Sequence, residues 1–477
     1  MTSASAAPAG RLPFPRLLAF SAGSIPAYLL IGIMGVYLPR FYAGHLGISL
    51  LTLGATIAVI RLADLGIDLA LGILMDKTRT PMGRYRPWYL LGLPVVVLAV
   101  FKVFNPPDDA GIPYLLVWYT LLYVAYSLLV LGHSAWAGTL SGNYNERSRI
   151  FGWTMGLALA GSVSIGLLPL ITHGAINPAK SASMPTIGWI IIGAAAITIP
   201  LALLLAPERV APLARKERMS FKDYAAVVTT PSMLRLVLAD LFLTLGPGTT
   251  APIYIFFFHE AKKFSLIEVP ILLIPYTAAG VIGAPFWGWV AQKVGKHRAV
   301  QIACVAYAIT QTILMAMPAG EFAITAVGMF SVGFCASAFI LLVRAMVADV
   351  ADQLRLETGQ ERSGVLFALV TMTQKFGTSI TISIVYPILA YVGFNAKDGA
   401  INTPHAIWGL EMCYLFAPIA LVLVGGACFF GYTLTAQKQG EIRAQLDALA
   451  AAEAGAESGL ESMGGVGEPP PAPAPAR

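Results

Sequence analysis

Twelve long apolar runs dominate the chain of 477 residues. A helix needs about 20 mostly apolar residues to cross the hydrocarbon core of a bilayer, because its backbone groups find no water there. The composition agrees, since 57% of the residues are hydrophobic, only 12% are charged and the mean hydropathy is +0.72. The sequence therefore predicts an all-α polytopic membrane protein. The spans are expected near residues 17–40, 50–75, 87–105, 113–140, 149–173, 186–206, 232–258, 267–292, 297–317, 321–350, 363–391 and 406–433.

Lysine and arginine are concentrated in alternate connections between these runs. Most of them follow the second, fourth, sixth, eighth and tenth spans or lie in the terminal segments. Loops rich in these residues stay on the cytoplasmic side of a membrane. We therefore expect an integral protein of the plasma (inner) membrane with both termini in the cytoplasm. The same bias explains the net charge of +6, so that charge does not indicate binding to nucleic acid.

Two short motifs occur once in each half of the chain. "NERSRIF" at 145–151 is echoed by "QERSGVLF" at 360–367, and Gly72 is echoed by Gly288, with offsets of 215 and 216 residues. Parallel repeats of six spans are typical of secondary transporters, whose halves rock about a site near the membrane midplane. The predicted organisation is a cytoplasmic tail (1–16), a six-helix bundle (17–206), a cytoplasmic linker (207–231), a second six-helix bundle (232–433) and a cytoplasmic tail that is largely disordered apart from one short surface helix (434–477).

Arg61, Asp64 and Asp68 lie inside the second apolar run with the spacing i, i+3 and i+7. That spacing places them on one face of a helix. A charge at the bilayer centre costs several kcal/mol, so this face should point toward a partner or a watery cavity. The three residues predict a cation site. The alternative is an Arg61–Asp64 pair that only joins helices, which leaves Asp68 unexplained.

Lys375 lies in the eleventh run and also needs a counter-charge. If the second and eleventh spans are neighbours, this lysine competes with a bound cation for the carboxylates of Asp64 and Asp68, because only one positive charge need occupy the site at a time. The sequence therefore suggests a device that couples cation binding to a change in helix contacts.

Two further groups of polar residues are candidates for function. His133 and Trp136 in the fourth run and Asp240 in the seventh are candidates for a substrate cavity, with packing as the alternative for each. Acidic residues also stand among the basic ones at span ends, although basic residues alone would fix the topology. They predict a cytoplasmic gate that latches the two halves together. Its candidate residues are Asp76, Arg84, Glu146, Arg147, Asp349, Asp352 and Arg362.

Residue patterns typical of enzymes are not evident. The six histidines and four cysteines show no metal-ligand or nucleophile spacing such as HExxH. The cysteines are expected to pack as small apolar residues. The sequence thus disfavours an enzyme and predicts no cofactor, and no metal other than a coupling ion.

Three stretches resemble signatures of a known family. They are "RLADLGIDLALGILMDKTRTPMGRYRPW" at 61–88, "NYNERSR" at 143–149 and "AMVADVADQLRLETGQERSGVLFALVTMTQKFG" at 345–377. They are similar to those of the glycoside, pentoside and hexuronide cation symporters of the major facilitator superfamily, typified by melibiose permease. The resemblance covers both halves. It implies twelve transmembrane helices in two six-helix halves, and symport coupled to H+ or Na+ by alternating access.

The resemblance also assigns roles to individual residues. It implies that Asp64, Asp68, Lys375 and Thr371 take part in cation coupling, and that Ser127 stands where the family has a hydroxyl ligand for the ion. The chain departs from the family at Ile67, where an asparagine would supply a neutral oxygen. Sodium needs several oxygen ligands whereas a proton needs one carboxylate, so the departure favours proton coupling and leaves sodium as the alternative.

The residues that bind sugar in the family are missing. The register places Tyr28 at the acid of the first span, Val130 and Ser134 at the acid and the aromatic residue of the fourth, and Thr154 or Met155 at the arginine of the fifth. Sugars are bound chiefly by hydrogen bonds to charged and amide groups. The departures therefore favour a substrate with fewer hydroxyl groups.

The sequence as a whole predicts a cation-coupled symporter of a glycoside or another carbohydrate-like solute. One alternative is a symporter of a lysolipid or another amphiphile, because the sugar-binding acids are absent. A second alternative is a sensor or scaffold that transports nothing. We expect a monomer whose partners are a small-molecule substrate and membrane lipid.

Overall fold

The structure is a computed structural model that describes residues 12–141, 144–208, 230–358 and 363–463. The predicted gate residue Arg362 lies outside these ranges. The side chains of Asp76 and Arg147 also lie outside the described part of the chain. Within that part, the chain is helical apart from its loops, turns and one isolated β-bridge.

Six long helices form the first half of the molecule. They are α1 (Phe14–Gly44), α2 (Leu50–Lys77), α3 (Arg86–Phe104), α4 (Ile112–Thr139), α5 (Tyr144–Ile171) and α6 (Met184–Leu205). α1 consists of two pieces, Phe14–Ala22 and Ile25–Gly44. Pro26 stands at the start of the second piece, where a missing backbone N–H breaks no helical hydrogen bond.

Six more long helices form the second half. They are α7 (Pro231–Ala261), α8 (Glu268–Val294), α9 (Lys296–Ala316), α10 (Phe322–Thr358), α11 (Ser363–Tyr391) and α12 (Pro404–Ala427). α7 is interrupted like α1, because its α-helical part ends at Thr250 and is followed by a 3-10 turn over Ala251–Ile253. A last helix, α13 (Ala436–Met463), is longer than the short surface helix that the sequence predicts for the tail.

Ten of the helices α1–α12 are long and apolar enough to cross a membrane. The other two, α2 and α11, are as long as their neighbours and contain the intramembrane charges. This arrangement confirms the predicted fold class, an all-α polytopic membrane protein of two six-helix halves. With an even number of long helices in the described part of the chain, the start of α1 and the end of α12 lie at one end of the bundle. We call this end the terminal end, and the other the opposite end.

The two halves repeat one packing pattern. In the first half α3 packs on α4 and α6, α2 packs on α4, and α1 packs on α5 and α6. In the second half the same pairs recur six helices later, as α9 with α10 and α12, α8 with α10, and α7 with α11 and α12. The repeat that the sequence motifs indicate is therefore also a repeat of helix contacts.

In the described part of the chain, the main helix pairs between the halves are α2 with α11, α5 with α8, and α1 with α7. A Cβ built on Gly54 of α2 would lie 3.5 Å from the carbonyl oxygen of Ile382 in α11. A Cβ built on Gly166 of α5 would lie 3.0 Å from the carbonyl oxygen of Pro270 in α8. With an offset of 216 residues these are the same pair of positions, since 54 corresponds to 270 and 166 to 382. The two interfaces are thus related by the repeat.

Candidate cation and substrate site

A cluster of charged side chains lies between α2 and α11, and we call it the cation cluster (Arg61, Asp64, Asp68 and Lys375). Lys375 of α11 forms an ion pair with Asp68 of α2 through Nζ and Oδ2. The two side chains are 33% and 12% exposed. This pair crosses from one half to the other, so the structure provides the contact between the second and eleventh spans that the coupling hypothesis requires.

Asp64 is the more buried of the two acids, with 5% of its surface exposed. The hydroxyl of Ser127 in α4 donates a hydrogen bond of 3.3 Å to its Oδ1. The guanidinium of Arg61 lies 4.6 Å from the centre of the Tyr123 ring, also in α4. An arginine over an aromatic face is stabilised by the ring quadrupole. Among the described contacts Arg61 is therefore held by α4 and forms no ion pair with Asp64.

The cation cluster is electrically balanced without a bound ion, because it contains two carboxylates, one guanidinium and one ammonium. Lys375 occupies the place beside Asp68 that a cation would take. A third positive charge in the same poorly solvated space is unfavourable. We therefore expect a sodium ion or a proton at Asp68 to displace the ammonium of Lys375.

Two residues near the cation cluster bear on the choice of ion. Thr371 is exposed and lies four positions before Lys375, which places both on one face of α11. Ile67 is partly buried and packs against an apolar group formed by Leu71, Met75 and Leu128. The role of Thr371 stays a prediction, and Ile67 contributes packing where the family has an oxygen ligand.

A second group of polar side chains adjoins the cation cluster, and we call it the Arg344 cluster (Tyr28, Asp240, Arg344 and Gln374). Arg344 of α10 donates from Nη2 to Oε1 of Gln374 at 3.4 Å, and Gln374 of α11 donates from Nε2 to Oδ1 of Asp240 at 3.2 Å. Arg344 lies close enough to the Tyr28 hydroxyl of α1 for its charge to act on it. Gln374 precedes Lys375 in the chain, so the two clusters are adjacent on α11.

Arg344 and Gln374 are missing from the candidates that the sequence provides. Arg344 lies inside the tenth apolar run, so the cost of a charge among apolar residues singles it out as it does Asp68. Gln374 is neutral, and no comparable signal marks it. The structure thus adds two residues to Tyr28 and Asp240. Arg344 could have been identified from the sequence, whereas Gln374 could not.

His133 and Trp136 lie elsewhere, in an aromatic group inside the first half. Nε2 of His133 donates to the carbonyl oxygen of Phe20 at 2.8 Å, and the His133 ring stacks on the Phe20 ring with centroids 4.2 Å apart. Trp136 is fully buried and packs edge-on against Phe20 at 5.0 Å. Both side chains contact α1, and the structure does not bring them together with Tyr28 and Asp240.

The gate candidates of the first half lie at the terminal end and contact their own half. Glu146 pairs with Arg149 at 2.9 Å and accepts a hydrogen bond of 3.0 Å from the backbone N–H of Leu12. The backbone N–H of Arg84 donates to Oε1 of Glu208 at 2.7 Å. Glu208 thereby caps the start of α3, where unpaired N–H groups favour a carboxylate. These described contacts hold the half together.

The gate candidates of the second half behave in the same way. Asp349 of α10 pairs with Lys296 at the start of α9, with Nζ and Oδ2 2.6 Å apart. Asp352 pairs with Arg443 of α13 at 3.4 Å. The role of these residues in a gate between the halves stays a prediction, since their described partners belong to one half.

The polar contacts that close the opposite end were not predicted from the sequence. Arg40 at the end of α1 pairs with Asp398 in the loop between α11 and α12, with Nη2 and Oδ1 3.6 Å apart, and donates to the carbonyl oxygen of Ala179. Ser181 donates to Oδ2 of Asp398 at 2.7 Å, and the backbone N–H of Asp398 donates to Gly44 at 3.2 Å. The contacts of Asp398 join the halves, and we call them the Arg40–Asp398 latch.

Comparison with solved structures supports the fold. The crystal structure of the nucleoside transporter NupG (D323A mutant) matches with a TM-score of 0.67 at 13% identity, over 87% of this chain and 99% of that chain. A bacterial homologue of the human lysosomal transporter Spinster, in an inward-facing and unoccupied conformation, matches with a TM-score of 0.66 at 12% identity, over 89% and 98%. At this level of identity the likeness concerns the fold alone.

Comparison with sequences identifies the family. The isoprimeverose transporter of Lactiplantibacillus pentosus is 24% identical over 86% of both chains. The sodium-dependent lysophosphatidylcholine symporter 1-B of Danio rerio is 23% identical over 80% of this chain and 79% of that one. The putative glycoside/cation symporter YagG of Escherichia coli (strain K12) is 22% identical over 80% and 84%. The model of the MFS/sugar transport protein family matches residues 19–436. The chain therefore belongs to the MFS/sugar transport protein family of membrane transporters.

Proposed function

We propose that the protein is a secondary active symporter that couples the uptake of a solute to a proton or a sodium ion by alternating access. The ion pair between Asp68 and Lys375 is the observation that carries the proposal. It places a neutralising charge from one half beside Asp68 of the other, and a cation bound at Asp68 takes the place of that charge. Relatives named as glycoside/cation and sodium-dependent symporters support a coupling ion.

The proposed cycle follows from the balance of charge. In the empty state Lys375 neutralises Asp68, so the halves can exchange conformations at little electrostatic cost. When a cation binds at Asp64 and Asp68, the ammonium of Lys375 is released and the interior gains one positive charge. Reorientation then becomes favourable only when the solute has also bound between the halves. Binding of the ion alone therefore does not dissipate the gradient.

The proposed solute is carbohydrate-like, such as a glycoside. A lysolipid or another amphiphile is the second candidate, and the environment of Tyr28 favours it. Where sugar-binding relatives carry an arginine in the fifth span, the hydroxyl of Thr154 lies 3.3 Å from that of Ser21, and the exposed Met155 lies beside Tyr28. A thioether next to Tyr28 suits an apolar group better than a sugar hydroxyl.

We further propose that the terminal end faces the cytoplasm of a cell whose inner membrane holds the protein as a monomer. The loops at this end carry most of the lysine and arginine residues, which is the bias of cytoplasmic loops. The Arg40–Asp398 latch then closes the outer side. Opening of this latch is the step that admits the solute from outside.

Uphill transport tests the proposal. Purified protein in proteoliposomes is screened by counterflow with labelled glycosides and lysophospholipids, at several pH values and with or without sodium. The solute that exchanges is then offered with a proton or sodium gradient. Asp64→Asn and Asp68→Asn should each abolish accumulation, because the amide binds neither ion as a carboxylate does. Asp109→Asn, in an exposed loop at the opposite end, is the matched control and should accumulate normally.

Two results would contradict the proposal. One is accumulation that survives both carboxylate substitutions. The other is a failure of every solute in the panel to exchange while at least one of them binds, because binding without exchange is the behaviour of a sensor.

A further inference from the structure

We infer that Arg344, together with Tyr28, binds an acidic group of the transported solute, so that the substrate class is a carboxylate- or phosphate-bearing molecule. The inference rests on the proposed function, because it names the substrate of the same interior site. It is carried by the unfilled hydrogen-bond capacity of Arg344 and Tyr28 and by their position in opposite halves.

Hydrogen-bond donors outnumber acceptors around Arg344 and Tyr28. Within the described part of the chain, the exposed guanidinium of Arg344 makes one hydrogen bond, the 3.4 Å contact with Gln374. Among the described residues, the hydrogen-bond acceptor of the Tyr28 hydroxyl is the Met155 sulfur, at 3.9 Å, and a thioether is a weak acceptor. The two side chains belong to opposite halves, so a group bound by both would lie at the interface between the halves. Carboxylate and phosphate oxygens are the acceptors that a guanidinium binds best.

The remaining members of the cluster position Arg344. Gln374 presents its carbonyl oxygen to the guanidinium and its amide N–H to Asp240. Asp240 is 2% exposed, and its Oδ2 has no described hydrogen-bond partner. The carboxylate therefore orients the amide and contributes a balancing charge, but among the described contacts it accepts no hydrogen bond from Arg344.

The charge balance of the cation cluster adds a second reason. When a cation binds at Asp68, the ammonium of Lys375 is released next to Gln374. The cation and Arg61 then balance Asp64 and Asp68. Lys375 and Arg344 remain as two positive charges against the carboxylate of Asp240. A neutral solute leaves this excess uncompensated, whereas an acidic solute removes it. By removing this charge, an acidic solute would favour closure of the two halves around it.

Equilibrium binding to purified protein in nanodiscs of phosphatidylcholine tests the inference, since these lipids carry no net charge. Two matched pairs of probes separate the possible sources of the acidic group. The first pair is 4-nitrophenyl β-D-glucuronide and 4-nitrophenyl β-D-glucoside. The second is oleoyl lysophosphatidic acid and monooleoylglycerol. The acidic member of at least one pair should bind about tenfold or more tightly than its neutral partner.

Variants assign that preference to Arg344. Arg344→Gln should reduce the preference to within about twofold and leave the neutral probe unaffected, while Arg344→Lys should retain part of it because the charge remains. Arg355→Gln, an exposed arginine further along α10, is the control and should bind like the unchanged protein. Thermal unfolding of each variant verifies that the fold is intact.

Equal binding of acidic and neutral probes, binding of no acidic probe, or a preference that survives Arg344→Gln overturns the inference. Its failure can be told apart from failure of the proposed function. Uphill transport of a neutral solute by the Arg344→Gln variant contradicts the inference alone. Binding of an acidic probe that depends on Arg344, without any uphill transport, supports the inference and contradicts the proposed function.

Discussion

The two interfaces α2/α11 and α5/α8 have the same packing and different chemistry. Gly54 approaches the backbone of α11 as Gly166 approaches the backbone of α8, at positions related by the 216-residue offset. Around Gly54 the interface continues into the cation cluster, whereas the matching positions on the other side are uncharged. Arg61, Asp64, Asp68 and Lys375 correspond to Thr277, Gly280, Ala284 and Leu159.

This difference separates two requirements of the molecule. Close packing at both interfaces is a requirement of the repeated fold, because both must slide or separate when the halves rock. Charge at only one interface is a requirement of coupling, since a second buried cluster would add a further desolvation cost. The comparison therefore predicts that a change of packing has a similar effect on transport at either interface. The loss of a charged side chain at α2/α11 should have an effect that the matching substitution at α5/α8 does not have.

Replacement of Lys375 should reveal the largest difference between the two interfaces. Lys375→Ala removes the competitor for Asp68, so the coupling ion should bind about tenfold more tightly. Accumulation of solute should nevertheless be lost, because the empty carrier then holds an uncompensated carboxylate. The half-saturating ion concentration in counterflow measures the first effect and gradient-driven uptake the second. Leu159→Ala, at the matching position of α5, should leave both nearly unchanged.

Equal sensitivity of the transporter to Leu159→Ala and Lys375→Ala would show that the effect comes from lost packing. Lys375→Arg guards against misfolding as the cause, since it keeps the charge and should retain part of the accumulation.

Enlargement of the two glycines should have an intermediate effect of equal size at both interfaces. Gly54→Val and Gly166→Val place atoms against a neighbouring backbone, so each should shift the protein away from the form in which the opposite end is closed, by about fivefold in population. Labelling of a cysteine introduced at Val36, which lies in the interior near α7, by an impermeant thiol reagent measures opening of that end. A strong response to one substitution and none to the other would break the proposed equivalence.

Removal of the Ser127 hydroxyl should have the smallest effect. Ser127→Ala deletes the hydrogen bond to Asp64, and the loss of one such bond should weaken binding of the coupling ion about twofold. Ser141→Ala, a buried serine later in the chain, serves as the control. Unchanged ion dependence in the Ser127 variant would mean that this hydroxyl only packs.

The sequence predicts well those residues whose placement in the membrane is energetically unfavourable without a partner. Asp64, Asp68 and Lys375 stand out because a charge among apolar residues needs a partner, and the structure does bring Asp68 and Lys375 into contact. Arg344 follows the same rule. The helix spans follow from the need to pair every backbone group inside the bilayer, so their positions are also predictable.

Residues whose role depends on tertiary contacts are not predictable in this way. Arg40 and Asp398 lie near span ends, where charges are common, and only the folded chain brings these two together. Gln374 is neutral, so the sequence does not indicate its contact with Asp240. His133 stands out as a polar residue in an apolar run, yet its hydrogen bond to Phe20 shows that a backbone carbonyl satisfies it within the first half.

Chemical labelling of Lys375 tests the central claim most directly. The protein in nanodiscs is treated briefly with a small amine-reactive reagent, and mass spectrometry measures the modification rate of each lysine. Saturating sodium, or the Asp68→Asn substitution as a mimic of protonation, should release the ammonium and raise the rate at Lys375 several-fold. Lys296, paired with Asp349 in the same sample, should react at a constant rate. A Lys375 rate that neither sodium nor Asp68→Asn changes would contradict the claim that the coupling ion displaces this lysine.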